Sequence, residues 1–204
     1  LKWYRKRLNV ARTIGQKSMG DAFNSLGTAF KELGQLDSAI HYHQLALKNR
    51  KATGQELRES FSLNNLGLVY KKKGDYDEAI RFLKQSLEIK TRIQDIEGMA
   101  SSNINIGNTL NIQGRYKEAL GYLERGIVFA DSAENDIFLI NGYEGAVSAY
   151  LENDNSKVAK YFDNLISLRD SRYDQSAVAQ ARDLEAKYHI EEKEKLFAIQ
   201  KEKD

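Results

Sequence analysis

A motif that recurs every 40 residues constrains the fold of this chain more than any other feature of its sequence. A bulky apolar residue is followed by glycine in three places 40 residues apart, at Leu26-Gly27, Leu66-Gly67 and Ile106-Gly107. Further matches follow at fixed distances: Phe30, Gly34 and Ala39; Tyr70, Gly74 and Ala79; Leu110, Gly114 and Ala119. At least eight positions agree in the three copies, which excludes chance. Repetition on this scale predicts a solenoid in which each unit packs on its neighbours.

Each copy predicts two helices. Apolar residues recur at three- and four-residue spacing on both sides of the turn glycine, and glycine readily takes the positive φ that ends a helix. Asp37 and Asp77 fall near the start of the second helix, where a negative charge is favourable. The sequence contains no Pro, and its 41% hydrophobic and 29% charged residues are typical of helices with one buried face. The sequence therefore predicts an all-α solenoid of antiparallel helix hairpins.

Small residues predict close contact within each hairpin. Gly67 and Gly107 lie in the middle of first helices, and Ala79 and Ala119 lie in the facing second helices. These residues let the paired backbones approach each other, and we expect larger side chains at these positions to force the hairpin apart.

The ends of the repeat array are less regular. A fourth copy keeps some of the aligned repeat positions, which we call columns, at Tyr150, Ala159 and Phe162. Its two glycine columns hold Val147 and Asp154 instead, as is common in a terminal repeat. Residues 3–16 resemble residues 42–55, so the chain is expected to open inside an earlier hairpin as a fragment of a longer protein. The predicted solenoid covers residues 1–170, with a partial repeat at 1–16 and repeats at about 17–55, 56–95, 96–134 and 135–170.

The last segment, residues 171–204, lacks a turn glycine and predicts one long helix. Ala177, Ala181, Leu184 and Tyr188 form an apolar stripe that would cover the end of the last hairpin. Two interpretations stay open, a capping helix and a signalling linker. A homodimer formed through this helix is a further expectation.

Composition excludes several partners. The 31 basic and 29 acidic residues give a net charge of +2, too little for a surface that binds the phosphates of nucleic acid. Cys is absent, so there is no disulfide framework or thiolate metal site. The apolar run Ile137 to Ile140 is far too short to enter a bilayer as a span.

No pattern predicts catalysis, and we expect neither a cofactor nor enzymatic activity. Phosphate loops, nucleophile elbows, zinc motifs and kinase signatures do not occur. His41 and His43 are two residues apart and so project from different sides of a helix, which is wrong for a metal pair. His43 occupies the column of Leu83 and Leu123, which predicts a packing role.

These columns resemble the tetratricopeptide repeat over residues 1–170. The common repeat has about 34 residues, whereas these repeats have 40 and lack a Pro after the second helix. The longer type resembles repeats of kinesin light chains, G-protein-signalling modulators and bacterial quorum-peptide regulators. With the charged segment 184–193 after the last repeat, the chain is also similar to sensory regions of bacterial two-component histidine kinases.

The resemblance implies a right-handed superhelix whose concave wall is built from the first helices and binds a protein or peptide. Residues flanking the glycine column would line that wall: Asn24, Asn64, Asn65, Lys71, Lys72, Asn105, Asn108 and Asn111. Side-chain amides suit the main chain of an extended peptide, and lysines suit carboxylates. Asn65 and Asn105 match a position that binds peptide backbone in the family. The alternative is that these residues are ordinary surface polar groups.

Two functions are therefore carried forward. The first is a binding and sensing module of a larger bacterial regulator, in which a partner in the groove alters the solenoid and shifts the attached helix. The second is a scaffold that assembles other proteins and has no output domain. The fragment would lie in the periplasm if the parent is membrane-anchored, and in the cytoplasm otherwise.

Overall fold

The computed structural model describes residues 16–153 and 155–172, which form eight α-helices, a single turn of 3₁₀ helix and no strand. The helices are α1 Gln16–Glu32, α2 Leu36–Ala52, α3 Glu56–Lys73, α4 Tyr76–Arg92, α5 Ile96–Ile112, α6 Tyr116–Ser132, α7 Asp136–Asn153 and α8 Val158–Arg172, and the 3₁₀ turn is Asn155–Lys157. Successive helices pack as hairpins, and each hairpin packs on the next. The all-α solenoid predicted from the repeats is confirmed.

Several predictions fall outside the described residues. They are the partial repeat before Gln16, the turn at Asp154, and the long helix over 171–204 with its linker or dimer role. Of this last segment only Ser171 and Arg172 are described, and they lie at the end of α8.

The turn glycines end the first helices as the sequence predicts. Gly34, Gly74 and Gly114 have φ angles of +72°, +88° and +73°, in the left-handed region that glycine adopts without steric cost. The turns between hairpins also need one left-handed residue. Gly54 supplies it at the first of these turns, but Gln94 (φ 59°) and Glu134 (φ 50°) supply it at the next two.

Inside the hairpins the small residues allow close contact, as predicted. A Cβ built on Gly67 would lie 2.6 Å from Leu83 Cγ, and one on Gly107 would lie 2.5 Å from Leu123 Cγ. Ala79 and Ala119 are fully buried beneath them. The aromatic columns stack on one another beside this contact, with ring centroids 5.2 Å apart for Phe30 and Tyr42 and 5.3 Å apart for Tyr70 and Phe82.

The fourth hairpin differs from the prediction by one residue. Ala159, predicted to occupy the buried alanine column, is exposed, and Val158 is buried there instead. Tyr161, and not the predicted Phe162, stacks on Tyr150 with centroids 5.4 Å apart. The tighter 3₁₀ turn at Asn155–Lys157 precedes α8, and its geometry accounts for a one-residue shift of that helix.

Two buried cations connect successive hairpins, and neither was predicted from the sequence. Arg50, at the end of α2, is 3% exposed and donates to the Ser62 hydroxyl (2.7 Å) and to Asp21 Oδ1 (3.0 Å). Lys90, at the equivalent position of α4, is 2% exposed and donates to the Ser102 hydroxyl (3.0 Å). Each cation therefore joins its own repeat to the first helix of the next one.

Replacing Asp21 with alanine is expected to destabilise the protein by about 1–3 kcal/mol, because it leaves the buried Arg50 guanidinium without its only carboxylate among the described residues. The free energy of unfolding in urea measures the effect. Asp37→Ala is the control, since it removes an exposed carboxylate that pairs with Lys73 on the surface near the start of α2, and it should cost only about 0.5 kcal/mol. Equal effects for the two variants would show that the buried cation does not depend on Asp21.

Candidate binding surface

The eight predicted site residues all lie on first helices. Asn24 is on α1; Asn64, Asn65, Lys71 and Lys72 are on α3; Asn105, Asn108 and Asn111 are on α5. Lys72 is exposed, and the other seven are half-buried. We call the surface formed by the outward-facing residues of α1, α3, α5 and α7 the first-helix wall.

Two pairs of amides cross from one first helix to the next. Asn65 Nδ2 donates to Asn24 Oδ1 (2.9 Å), and Asn105 Nδ2 donates to Asn64 Oδ1 (3.4 Å). Each bond joins residues 41 positions apart, one more than the repeat length. The bonds fix the orientation of all four amides. Asn24 and Asn64 keep their amide N–H groups for another partner, while Asn65 and Asn105 keep their carbonyl oxygens.

His43, on the second helix α2, contacts the first of these pairs through Asn24. Its Nδ1 lies 3.2 Å from Asn24 Oδ1, and since that oxygen only accepts, Nδ1 carries the proton. The ring is fully buried against Gly27, and burial, followed by the charges of Lys31 and Arg50, lowers the pKa of His43 to about 4. The predicted packing role is confirmed, and the neutral ring also positions Asn24.

The lysines at the end of α3 differ in their surroundings. Lys72 Nζ donates to the carbonyl of Lys31 on α1 (3.1 Å), and Lys73 pairs with Asp37 (2.6 Å). Lys71 is half-buried, and burial lowers its pKa. Among the described residues no carboxylate pairs with Lys71.

An open pocket of about 350 Å³ lies between α5 and α7. Asn111 Nδ2 donates to the main-chain carbonyl of Gly145 on α7 (2.8 Å). The pocket is lined by Lys71, Asn108, Asn111, Ile112, Asn141, Glu144, Gly145 and Ser148. It thus brings three of the predicted residues together with residues of α7 that the sequence analysis did not select.

Apolar side chains also face outward on this wall. Leu57 and Phe61 are 45% and 44% exposed and precede Asn64 and Asn65 by two turns and one turn, respectively, on the same face of α3. Ile112, on α5, is 52% exposed. Leu57 and Phe61 were not predicted as site residues, although residues 57, 61, 65 and 68 follow one another at helical intervals of four, four and three, which was a usable signal.

Two other kinds of feature are absent from residues 16–153 and 155–172. None of the helices there has the length and apolar character needed to cross a membrane. No group of three or more His, Cys, Asp or Glu side chains is arranged there to hold a metal ion.

Stacked hairpins with a polar wall of first helices define a helical-repeat scaffold. Two overlapping stretches, residues 18–92 and 58–132, match a family model described as tetratricopeptide repeat, and together they cover more than half of the 204 residues. The chain belongs to the tetratricopeptide-repeat family. A comparison with curated protein sequences gives no match.

Solved structures share the fold. BtubC (BKLC) from P. vanneervenii is 19% identical with a TM-score of 0.75, over 82% of this chain and 71% of that one. The apo form of RapI is 19% identical with a TM-score of 0.80, over 89% and 51%. A Rap protein complexed with Competence and Sporulation Factor is 15% identical with a TM-score of 0.66, over 85% and 50%. This chain therefore spans about half the length of the two Rap proteins, and at these identities the likeness establishes the fold alone.

Proposed function

We propose that this chain is a peptide-binding module that holds an extended segment of a protein partner against the first-helix wall. The observation that carries the proposal is the pair of inter-helix amide bonds, Asn65 to Asn24 and Asn105 to Asn64. Each pair leaves amide N–H donors and one carbonyl acceptor unused on neighbouring helices. An extended peptide has unpaired main-chain groups of both kinds, whereas a helical partner has already satisfied its own.

The spacing of the wall suits such a ligand. Packed helices lie about 8–10 Å apart, and main-chain groups on one side of an extended chain repeat every two residues, about 6.6–7 Å. Contacts at neighbouring first helices would therefore fall two to three ligand residues apart. Leu57, Phe61 and Ile112 add exposed apolar surface beside the amides for ligand side chains.

The wider role that we propose is the sensory or regulatory region of a larger bacterial signalling protein, in which ligand binding alters the packing of the hairpins. The fold shared with a Rap protein that is complexed with Competence and Sporulation Factor supports this choice. The other candidate is a scaffold that assembles proteins without an output domain. Sequencing the parent gene beyond Asp204 separates them: a kinase or DNA-binding domain supports the sensor, and a stop codon supports the scaffold.

The double variant Asn65→Ala/Asn105→Ala is expected to weaken peptide binding about tenfold or more, because each lost hydrogen bond contributes roughly 0.5–1.5 kcal/mol. Partners are first selected from a random peptide display library on the wild-type protein, and affinities are then measured by fluorescence anisotropy. The matched control is His41→Ala/Gln44→Ala, which changes two exposed residues of the second helix α2. Full affinity in the Asn65/Asn105 variant, with a loss in the control, would move the binding site off the first-helix wall.

A further inference from the structure

The junction between α5 and α7 departs from the pattern of the two junctions before it. At those junctions an amide pair occupies the space between neighbouring first helices, with residues 24 and 65 at one and 64 and 105 at the other. The equivalent positions at the third junction are Ile104 and Gly145. Ile104 is 3% exposed and turned into the core, and Gly145 has no side chain. No amide bridge can form there, and the pocket opens beside this position.

Gly145 shapes the floor of the pocket. A Cβ built on it would lie 2.2 Å from Asn108 Oδ1 and 2.7 Å from Leu123 Cδ2, so only glycine lets the Asn108 amide lie against α7. Asn111 is held against the same stretch of backbone by its bond to the Gly145 carbonyl. The more buried lining residues form the floor: Lys71, Asn108, Asn111 and Gly145. The exposed ones form the rim: Ile112, Asn141, Glu144 and Ser148.

The cation that lines the pocket is unpaired among the described residues, whereas the anion that lines it is paired. The cation is Lys71 and the anion is Glu144. The Glu144 carboxylate already pairs with Arg169 of α8, whereas Lys71 has no carboxylate partner among the described residues. The half-buried Lys71 side chain therefore lines the pocket without a paired carboxylate, in surroundings less polar than water, where a ligand carboxylate is attracted more strongly than at an open surface.

We propose that this pocket is a specificity site for one acidic side chain, Asp or Glu, of the peptide bound along the first-helix wall, with Lys71 as its counter-charge. The inference rests on the proposed function. Amide N–H groups of Asn108 and Asn141 and the Ser148 hydroxyl provide further donors for a carboxylate. A side chain is proposed in preference to the end of a peptide, because the main chain is proposed to run along the amide pairs of α1, α3 and α5, and the pocket opens beside α5.

A charge-reversal selection tests the proposal. A random peptide library joined to its carrier at the peptide C-terminus, so that no free carboxyl end is present, is selected against wild type, Lys71→Glu and Lys73→Glu. Peptides selected on wild type are expected to share one acidic position, and changing that residue to Lys should weaken binding at least tenfold. Lys71→Glu should select Lys or Arg at that position. Lys73→Glu, the same change two residues along α3 on a lysine outside the pocket, should still select acidic residues.

The possible outcomes test the pocket proposal and the proposed function separately. Peptides that bind wild type without a shared acidic position, or an unchanged preference in Lys71→Glu, would overturn the pocket proposal and leave the proposed function standing. Binding that depends on Lys71 only in a second library, whose peptides carry free C-terminal carboxylates, would assign the pocket to a chain end and overturn it as a side-chain site. Failure to select any peptide would contradict the proposed function itself. Circular dichroism checks the folding of Lys71→Glu, and if it does not fold, Lys71→Gln replaces it and should lose the acidic preference.

Discussion

Gly107→Leu is expected to destabilise the protein by about 3 kcal/mol, at the upper end of the range for overpacked cores. A Cβ at Gly107 would lie 2.5 Å from Leu123 Cγ and 2.9 Å from Leu123 Cδ2, and also 3.1 Å from the main-chain oxygen of Ala119. Leu123 and Ala119 are both fully buried. The clash is with Leu123 Cγ, near the base of a buried side chain, and the Ala119 oxygen belongs to the backbone of α6, so we expect the two helices of the hairpin to separate.

The same substitution at Gly121 is the matched control. Gly121 lies on α6 of the same hairpin, is exposed, and has nothing within 4 Å of the position of a Cβ. Gly121→Leu should stabilise the helix by roughly 0.5–1 kcal/mol, since glycine is a poor helix former. Urea unfolding of the two variants gives the comparison. A Gly107→Leu variant as stable as wild type would mean that the helix faces are assigned wrongly.

The stability of the protein is expected to rise with pH between about 8 and 10.5, relative to Lys90→Met. Burial lowers the pKa of Lys90 from 10.5 to about 8, and the negative charge of Asp95 opposes that shift only in part. Between these values the unfolded chain keeps the proton that the folded chain has lost. Unfolding then takes up a proton, so a rise in pH favours the folded state. Below pH 8 the lysine is charged in both states and its contribution to stability is constant.

The expected size of this effect follows from the separation of the two pKa values, since each unit corresponds to about 1.4 kcal/mol. The free energy of unfolding is measured in urea at pH 7, 8, 9 and 10 for wild type and Lys90→Met. Methionine has a similar length and does not titrate, so the difference between the two curves isolates Lys90. Lys48→Met, which removes an exposed lysine of α2, controls for the loss of one positive charge. Parallel curves for wild type and Lys90→Met would contradict the burial of the ammonium.

Much of the fold was predictable because the residue preferences within each copy and the repetition between copies indicate the same helix hairpins. Gly34, Gly74 and Gly114 stand where a left-handed residue must end a helix, and the sequence shows all three. The close approach at Gly67 and Gly107 was predictable because three aligned copies all place a glycine there. Where the copies differ, the prediction was weaker. Gln94 and Glu134 take the left-handed conformation of Gly54 without being glycine, so nothing marked them. The one-residue shift of α8 depends on a 3₁₀ turn that has no counterpart in the earlier hairpins.

The candidate site was only partly predictable. Position on the repeat was enough to select Asn24, Asn65 and Asn105, because a column shows which face a residue occupies. The bonds between these amides were not predictable, because they join residues 41 apart across different helices and depend on the tilt of one hairpin on the next. The buried positions of Arg50 and Lys90 were missed for a related reason. A charged residue in the last turn of a helix normally reaches water, and only the Ser62 and Ser102 hydroxyls of the next repeat reveal that these two do not.

The central claim is that a peptide lies along the first-helix wall with its main chain bonded to the asparagine amides. The most direct test follows the side-chain amide resonances of ¹⁵N-labelled protein by NMR while a peptide selected on wild type is added. The account predicts that the amide signals of Asn24, Asn64, Asn65 and Asn105 shift as the peptide saturates the protein. The signals of Gln44 and Gln85, on the second helices α2 and α4, should stay in place. Shifts confined to Gln44 and Gln85, with the four asparagine signals unmoved, would contradict the account.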